Sequence, residues 1–372
     1  MVIACSSPIK GLFGKKTPHE QYADKLDDKD LEKTPEGRQW LAASQKALSN
    51  PASIEIPYSQ QGYFHADKAR ALGLEFTAQA GERISFTINH KNEPGLNMYV
   101  DLFRAGSLSE PVLSADTATT TFNFDVDETG PFILRLQPEL FRTGGYNLTI
   151  SIGPSLGFPV TDPKARVESV WGDRRDGGKR KHEGIDIFAK KGSPAIAAVD
   201  GVVTGVKEGG LGGKVVWMKV NDKNIYLYYA HLDKQLVETG QSVQKGDVLG
   251  QVGNTGNARH TPSHLHFGVY TSEGPINPLP FVNKESKEAP QLPARSLAGY
   301  LKMTKKDKAT DGSVIPANTL LVPLAVHSKG YIAELLNGQQ VIVPLNGVQL
   351  IKGPVKPSNA IANNSQEASK RS

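Results

Sequence analysis

The chain has 372 residues, 38% hydrophobic and 22% charged, which suits two or three packed domains of ordinary size. No stretch approaches the length of a membrane helix, and the single cysteine, Cys5, excludes an internal disulfide framework and any multi-cysteine metal site. The formal net charge of +5 favours polyanionic partners in general, but no long Lys/Arg run forms a nucleic-acid arm, and no nucleic-acid partner is expected.

At the start of the chain, Val2-Ile3-Ala4-Cys5 resembles a bacterial lipobox, in which the cysteine is lipidated, although the apolar signal region that should precede it is missing. Residues 1–33 are therefore expected to be a lipoprotein-like N-terminus with a polar tether over 6–33 and a lipid anchor at Cys5. The alternative is an incidental cysteine in a disordered N-terminus. Thr34-Pro35-Glu36 then reads as a helix start, with Thr as N-cap and Pro in the first helical position. Trp40, Leu41, Ala47 and Leu48 fall on one face with Ala43 between them, and Asn50-Pro51 ends the helix, giving a helix over 34–50.

Residues 54–153 alternate apolar and polar with period two, as in Arg83-Ile84-Ser85-Phe86-Thr87-Ile88 and Thr121-Phe122-Asn123-Phe124. Turn residues interrupt these runs at short intervals, which predicts an antiparallel β-sandwich serving as a spacer. Gly153-Pro154 and Phe158-Pro159 mark a linker. Residues 159–282 are Gly-rich with short β runs. Residues 293–352, with Leu320-Leu321-Val322, Tyr331-Ile332-Ala333 and Val341-Ile342-Val343 as strands, suit a small Src-homology-3-like barrel, and the polar tail over 356–372 is expected to be disordered.

Nine histidines occur, and five lie between His182 and His266. Four of these fall into compact motifs: His182-Glu183-Gly184-Ile185-Asp186, Tyr229-Ala230-His231-Leu232 and His264-Leu265-His266-Phe267. On a strand, residues two apart share a face, so His264 and His266 can enter one site while Leu265 and Phe267 enter the core. Gly184 allows close backbone approach beside His182. Two imidazoles and a carboxylate form a standard catalytic ligand set for zinc, with one position left for water.

These motifs are similar to those of the lysostaphin/LytM-type zinc metallopeptidases, peptidoglycan endopeptidases with the duplicated hybrid motif fold. The resemblance extends to Trp171-Gly172-Asp173-Arg174, to Gly192 through Val203, to Val243-Gln244-Lys245-Gly246-Asp247 and to Gly253-Asn254-Thr255-Gly256, all in the family's order, over about 120 residues. It implies one Zn²⁺ held by His182, Asp186 and His266, with His231 and His264 catalytic and Glu183 not the base. It also implies hydrolysis of a peptide bond in bacterial peptidoglycan, in stem peptide or cross-bridge, at the cell envelope. The stretch Asn257 to Ser263 departs from the pattern, being about two residues longer than the shortest family versions, with Ser263 where Pro is usual before the first His. The expected fold is mainly β: an N-terminal β-sandwich, a central antiparallel β-sheet metallopeptidase domain and a small C-terminal β-barrel.

Other readings compete with this one. His19, His65, His90 and His327 lack motif company and receive no role, and His260 reads as an exposed loop residue. Val243 through Leu249 resembles the turn of lipoyl and biotinyl carrier domains, with Met218-Lys219 as the modified lysine, but Trp217-Met218-Lys219-Val220 reads as a strand and not a hairpin tip. A non-enzymatic wall-binding adaptor or amidase activator would be expected to lack one or more of the five residues, and all five are present. Of Tyr226, Tyr228 and Tyr229, alternation sends at least one into the core.

Overall fold

The computed structural model describes residues 16–90, 96–115, 120–292, 295–308, 312 and 314–351. Cys5 and the 356–372 tail lie outside them. Among the described residues no helix is long and apolar enough to cross a membrane.

The structure departs from the sequence reading first in the tether. Helix α1, Pro18–Asp27, is fixed by a reciprocal capping box: Glu20 N–H donates to Thr17 Oγ1 at 3.2 Å and Thr17 N–H donates to Glu20 Oε2 at 2.7 Å. Its mean composition is polar, but His19 and Leu26 are buried. Helix α2, Pro35–Ser49, takes Thr34 as its N-cap. Its buried face is Gly37, Trp40, Ser44 and Ala47, at spacings of three and four. The face expected from Leu41 and Leu48 is thus wrong by a small rotation: Leu41 is exposed, and Ser44 is buried because Arg135 Nη1 donates to its hydroxyl at 2.6 Å.

Two sheets follow and share one core. The first orders Ala52–Ser53, Leu72–Ala78, Gly130–Pro138, Met98–Arg104 and Leu113–Ala115; the second runs Thr121–Asp125, Glu82–His90, Gly144–Pro154, Tyr58–Phe64. Leu74 and Phe132 of the first pack in one cluster with Phe86 and Leu148 of the second. The second sheet does not stop there. Leu320–His327 pairs antiparallel with Tyr58–Phe64, and Gly330–Leu335 and Gln340–Pro344 follow outward. The strands of residues 293–352 therefore extend an existing sheet and, among the described residues, do not close into a barrel. The physical reason is the edge of the Tyr58–Phe64 strand, whose backbone groups find partners in the C-terminal strand, while Ala325 and Ile332 join the core of the first two sheets.

Residues 166–276 build a third sheet, in the order Arg166–Ser169, Ile185–Phe188, His264–Thr271, Tyr226–Gln235, Gly213–Val220, Gly201–Gly209, Ser242–Val243, all antiparallel. One face buries Ile187, Leu265, Phe267, Leu227 and Tyr229. This unit is joined to the others by close contact. A Cβ on Gly81 would lie 2.3 Å from the Phe281 ring, Ile152 and Lys287 exchange backbone hydrogen bonds, and Lys223 Nζ reaches Asp125 at 3.3 Å. Lys219 lies within a strand, opposite Val202 and Tyr226, and not at a turn.

Candidate metal centre and cleft

The strand register brings the motifs together. Ile185–Phe188 lies beside His264–Thr271 with Asp186 opposite His266 and Phe188 opposite His264. On the other side of the same strand, Ala230 is opposite His266. Period-two alternation then sorts the side chains: Ile187, Leu265 and Phe267 enter the core, while Asp186 and His266 emerge on the far face. His182 reaches the same point from the segment before the strand.

His182 Nε2, Asp186 Oδ1 and His266 Nδ1 form a triangle with edges of 3.0, 3.0 and 2.9 Å. The tautomer of His182 is set from behind. Its Nδ1 donates to the Val170 carbonyl at 3.0 Å, so in the neutral ring Nε2 carries a lone pair. That lone pair faces a carboxylate oxygen, an arrangement that calls for a proton or a cation between them. A second partner holding the remote ring nitrogen is the usual arrangement behind a metal-ligating histidine. A four-coordinate ion with bonds of about 2.0–2.1 Å needs donors roughly 3.3 Å apart, so the triangle fits after opening by a few tenths of an ångström. The three residues could hold a metal ion.

Electrostatics agree with the geometry. Burial pushes the Asp186 carboxyl up, but the hydrogen bonds and charge of His182 and His266 outweigh it and hold it well below the usual carboxylate range. Burial lowers His266, with Asp186 opposing that shift. Arg175 Nη2 donates to the outer oxygen, Asp186 Oδ2, at 2.7 Å and to Ser169 Oγ at 2.6 Å. Ser169 in turn donates to Asp173 Oδ2 at 2.8 Å. One carboxylate oxygen is thereby held by the guanidinium and the other is left to the triangle.

His231 and His264 stand beside this cluster, their ring centroids 5.0 Å apart. Each is oriented by a backbone carbonyl: His231 Nδ1 donates to Thr255 O and His264 Nδ1 to Pro262 O, both at 2.9 Å. Both Nε2 atoms are then unprotonated in the neutral rings. Burial, followed by the neighbouring His264 and His266, pushes His231 down to about 4. His231 has a left-handed backbone, φ +61°, which costs a non-glycine residue about 1–3 kcal/mol. Its N–H donates to the Gly212 carbonyl at 2.8 Å, which pins it there. Two glycines are required by space. A Cβ on Gly184 would sit 2.6 Å from His266 Cε1, and one on Gly212 2.1 Å from the Tyr228 hydroxyl.

All five residues line an open cleft of about 460 Å³. No residue outside 169–270 contributes to its lining among the described residues. One wall carries Tyr228 and Tyr270, which pack with Trp217 at 4.4 and 4.9 Å. Burial, with Glu183 nearby, raises the Tyr270 hydroxyl to about 12. Tyr229 lies in the core, where its hydroxyl accepts from Ala198 N–H at 3.0 Å. His260 is exposed and outside the cleft.

Sequence reasoning missed Arg175, Thr255, Trp217 and Tyr270. Tyr270 had a signal: His264, His266, Gly268 and Tyr270 follow one another at period two and must share a face. Arg175 and Thr255 act through contacts that no local pattern encodes.

Residues 180–278 match the model of Peptidase family M23. The chain is 40% identical over 147 residues to an L-Ala–D-Glu endopeptidase of Bacillus subtilis, covering 37% of this chain and 43% of that protein. It is 35% identical over 144 residues to the peptidoglycan DD-endopeptidase ShyC of Vibrio cholerae, covering 37% of this chain and 30% of that one. Less than half of either relative's length is thus matched. Among solved structures, the catalytic domain of lysostaphin from Staphylococcus simulans is 28% identical, covers 32% of this chain and 91% of that chain, and has a TM-score of 0.29.

Proposed function

Residues 180–278 belong to peptidase family M23, and from that premise we propose that the chain is a zinc metalloendopeptidase hydrolysing peptide bonds in bacterial peptidoglycan. The observation that carries this reading is the convergence of His182 Nε2, Asp186 Oδ1 and His266 Nδ1 within 3.0 Å of one another, beside His231 and His264 in an open cleft. Two nitrogens and one oxygen suit zinc. The relatives' names, an L-Ala–D-Glu endopeptidase and a peptidoglycan DD-endopeptidase, support the substrate class.

In this reading His182, Asp186 and His266 hold the ion, and Arg175 keeps Asp186 directed at it. Bound zinc supplies Lewis acidity, polarising the scissile carbonyl and bringing the pKa of water towards about 7. The remaining work belongs to the chain. His231 and His264, each fixed by an Nδ1–H bond to a carbonyl, present Nε2 to take a proton from the attacking water and return one to the leaving amine. The neutral state of His231, favoured by burial, makes it an acceptor at the start of the cycle. Tyr228 and Tyr270 form the wall against which the peptide lies. Residues 159–282 are the catalytic domain, residues 54–153 act as a spacer, and Cys5 anchors the protein by lipid at the cell envelope.

The test is release of soluble peptide fragments from purified peptidoglycan, with products identified by mass. Zinc-loaded wild type is expected to release them, and both His264→Ala and chelator treatment to stop the release. No release by the zinc-loaded protein from walls of several compositions would instead make it a binding adaptor.

A further inference from the structure

The tyrosine wall of the cleft does not end at the strand that carries Tyr228. In the next strand Val216 and Met218 enter the core, so alternation turns Trp217 to the opposite face of the sheet. There its ring packs against Tyr228 at 4.4 Å and Tyr270 at 4.9 Å. Two glycines shape this corner. Gly268 lies opposite Tyr228, and a Cβ there would stand 2.7 Å from the Tyr270 ring, so the missing side chain lets Tyr270 lean across towards the indole. Gly205 lies opposite Trp217 and offers no side chain to cover it from that strand.

The polar tips of these three rings point to a ligand. Packed Tyr and Trp side chains usually find a hydrogen-bond partner, and elsewhere in the chain they do. Trp40 Nε1 donates to Pro138 O at 2.8 Å, the Tyr146 hydroxyl accepts from Gln60 Nε2 at 2.9 Å and the Tyr229 hydroxyl accepts from Ala198 N–H at 3.0 Å. The Trp217 indole N–H and the Tyr228 and Tyr270 hydroxyls make no hydrogen bond among the described residues. The three residues are half-buried, with these tips open to solvent. An indole N–H is a donor only. An aliphatic side chain or an ammonium group laid over the rings would leave it without an acceptor. A pyranose ring meets both demands: its C–H face stacks on an aromatic ring, and its hydroxyl and acetamido groups donate and accept around the edge. The strand of Trp217 lies two strands from that of His266, roughly 10 Å at the usual strand spacing, or about three residues of extended peptide.

We propose that Trp217, with Tyr228 and Tyr270 beside it, is a saccharide-binding subsite that stacks a sugar ring of the substrate's glycan while the attached peptide crosses the cleft. This assignment rests on reading the cleft as that of a peptidoglycan peptidase. Peptidoglycan joins its stem peptides to sugar, so one substrate molecule supplies both the ring for this wall and the peptide for the histidine cluster. The chain then favours stems still joined to glycan over peptides already released from it, and acts before any reaction that frees the stem from the sugar.

The experiment compares kcat/KM of the zinc-loaded full chain on two cross-linked stem peptides, one carrying the N-acetylglucosaminyl–N-acetylmuramoyl disaccharide and one with an N-acetyl group in its place. Wild type is expected to favour the sugar-bearing peptide by about fivefold or more, the scale of one aromatic stacking contact. In Trp217→Ala the ratio should fall to near one, and Trp217→Phe, which keeps a smaller ring, should retain part of it. Because each ratio is taken within one protein preparation, partial loss of folded protein cancels. Equal rates on the two peptides by wild type, or a ratio that survives in Trp217→Ala, would overturn the subsite and leave the peptidase reading standing. Should Trp217→Ala lose its fold, a Trp217→Phe ratio equal to that of wild type would overturn the subsite in the same way. Cleavage of neither peptide by wild type would overturn both readings.

Discussion

Two of the regions that bury histidine resemble each other until the neighbours are named. His19 in helix α1 is 6% exposed; His182, His264 and His231 in the cleft are 4%, 5% and 8% exposed. Burial is the largest cause of lowered basicity for both His19 and His231, and both fall to about 4. Yet His19 stacks on Trp40 at 4.6 Å and donates from Nε2 to Gln137 Oε1 at 2.7 Å. Its environment is complete without a ligand. In the cleft, His182 and His266 aim two ring nitrogens at one carboxylate oxygen, an arrangement that packing alone does not complete. Burial and a shifted pKa are common to structural and functional histidines; convergence of donors on a shared point separates them.

The sharpest way to break that distinction is to divide the cleft itself. His264→Ala should reduce hydrolysis about 10²- to 10⁴-fold while zinc content, measured on the purified protein, stays near one per chain. Asp186→Ala should lose both. If His264→Ala loses its metal as completely as Asp186→Ala, the proposed separation between ligands and proton carriers is wrong. His19→Gln, by contrast, should leave both measurements unchanged at neutral pH.

A smaller effect tests whether the ring of contacts behind the triangle is part of it. Arg175→Ala removes the guanidinium from Asp186 Oδ2 and from Ser169. Zinc affinity, measured by competition with a chelator, should weaken about 10- to 100-fold, the usual consequence of losing a partner behind a ligand. Unchanged affinity would mean that strand register alone directs Asp186.

The same contrast explains what was legible in the sequence. The five cleft residues could be read because period-two alternation places His264 and His266 on one face, and because His182, Asp186 and His231 recur in spaced motifs. The face of α2 was misjudged by one position because Ser44 is buried by a hydrogen bond from Arg135, which lies 91 residues away. The capped helix α1 was missed for a similar reason. Its polar composition hides His19, Tyr22 and Leu26, which become core only against Trp40 and Tyr99. The C-terminal strands were legible as strands, but their pairing with Tyr58–Phe64 joins segments more than 250 residues apart, and strand composition does not specify a partner at that distance.

The last prediction concerns stability and not hydrolysis, and it belongs to His19 alone. Burial first, then the charge of Arg135, lowers this imidazole to about 4, against opposing contributions from Asp101, Gln137 and Glu20. Between that value and the ordinary 6.5, the unfolded chain binds a proton that the folded chain refuses. Stability from this residue is therefore complete above about pH 6.5 and is lost as the pH falls towards 4, by about 3 kcal/mol if the whole shift is realised. Thermal melting of wild type and His19→Gln should differ most at neutral pH and converge, or cross, near pH 4, since glutamine carries no titrating proton. The loss should be local at first. Hydrogen exchange over Pro18–Asp27 should quicken below pH 6 before the cleft strands open, because α1 rests on a small cluster with Trp40 and Tyr99, whereas the cleft strands are held by a separate core. A pH-independent difference between the two proteins would show that His19 contributes by shape alone, and would leave the cleft as the region where titration of a buried histidine has consequences.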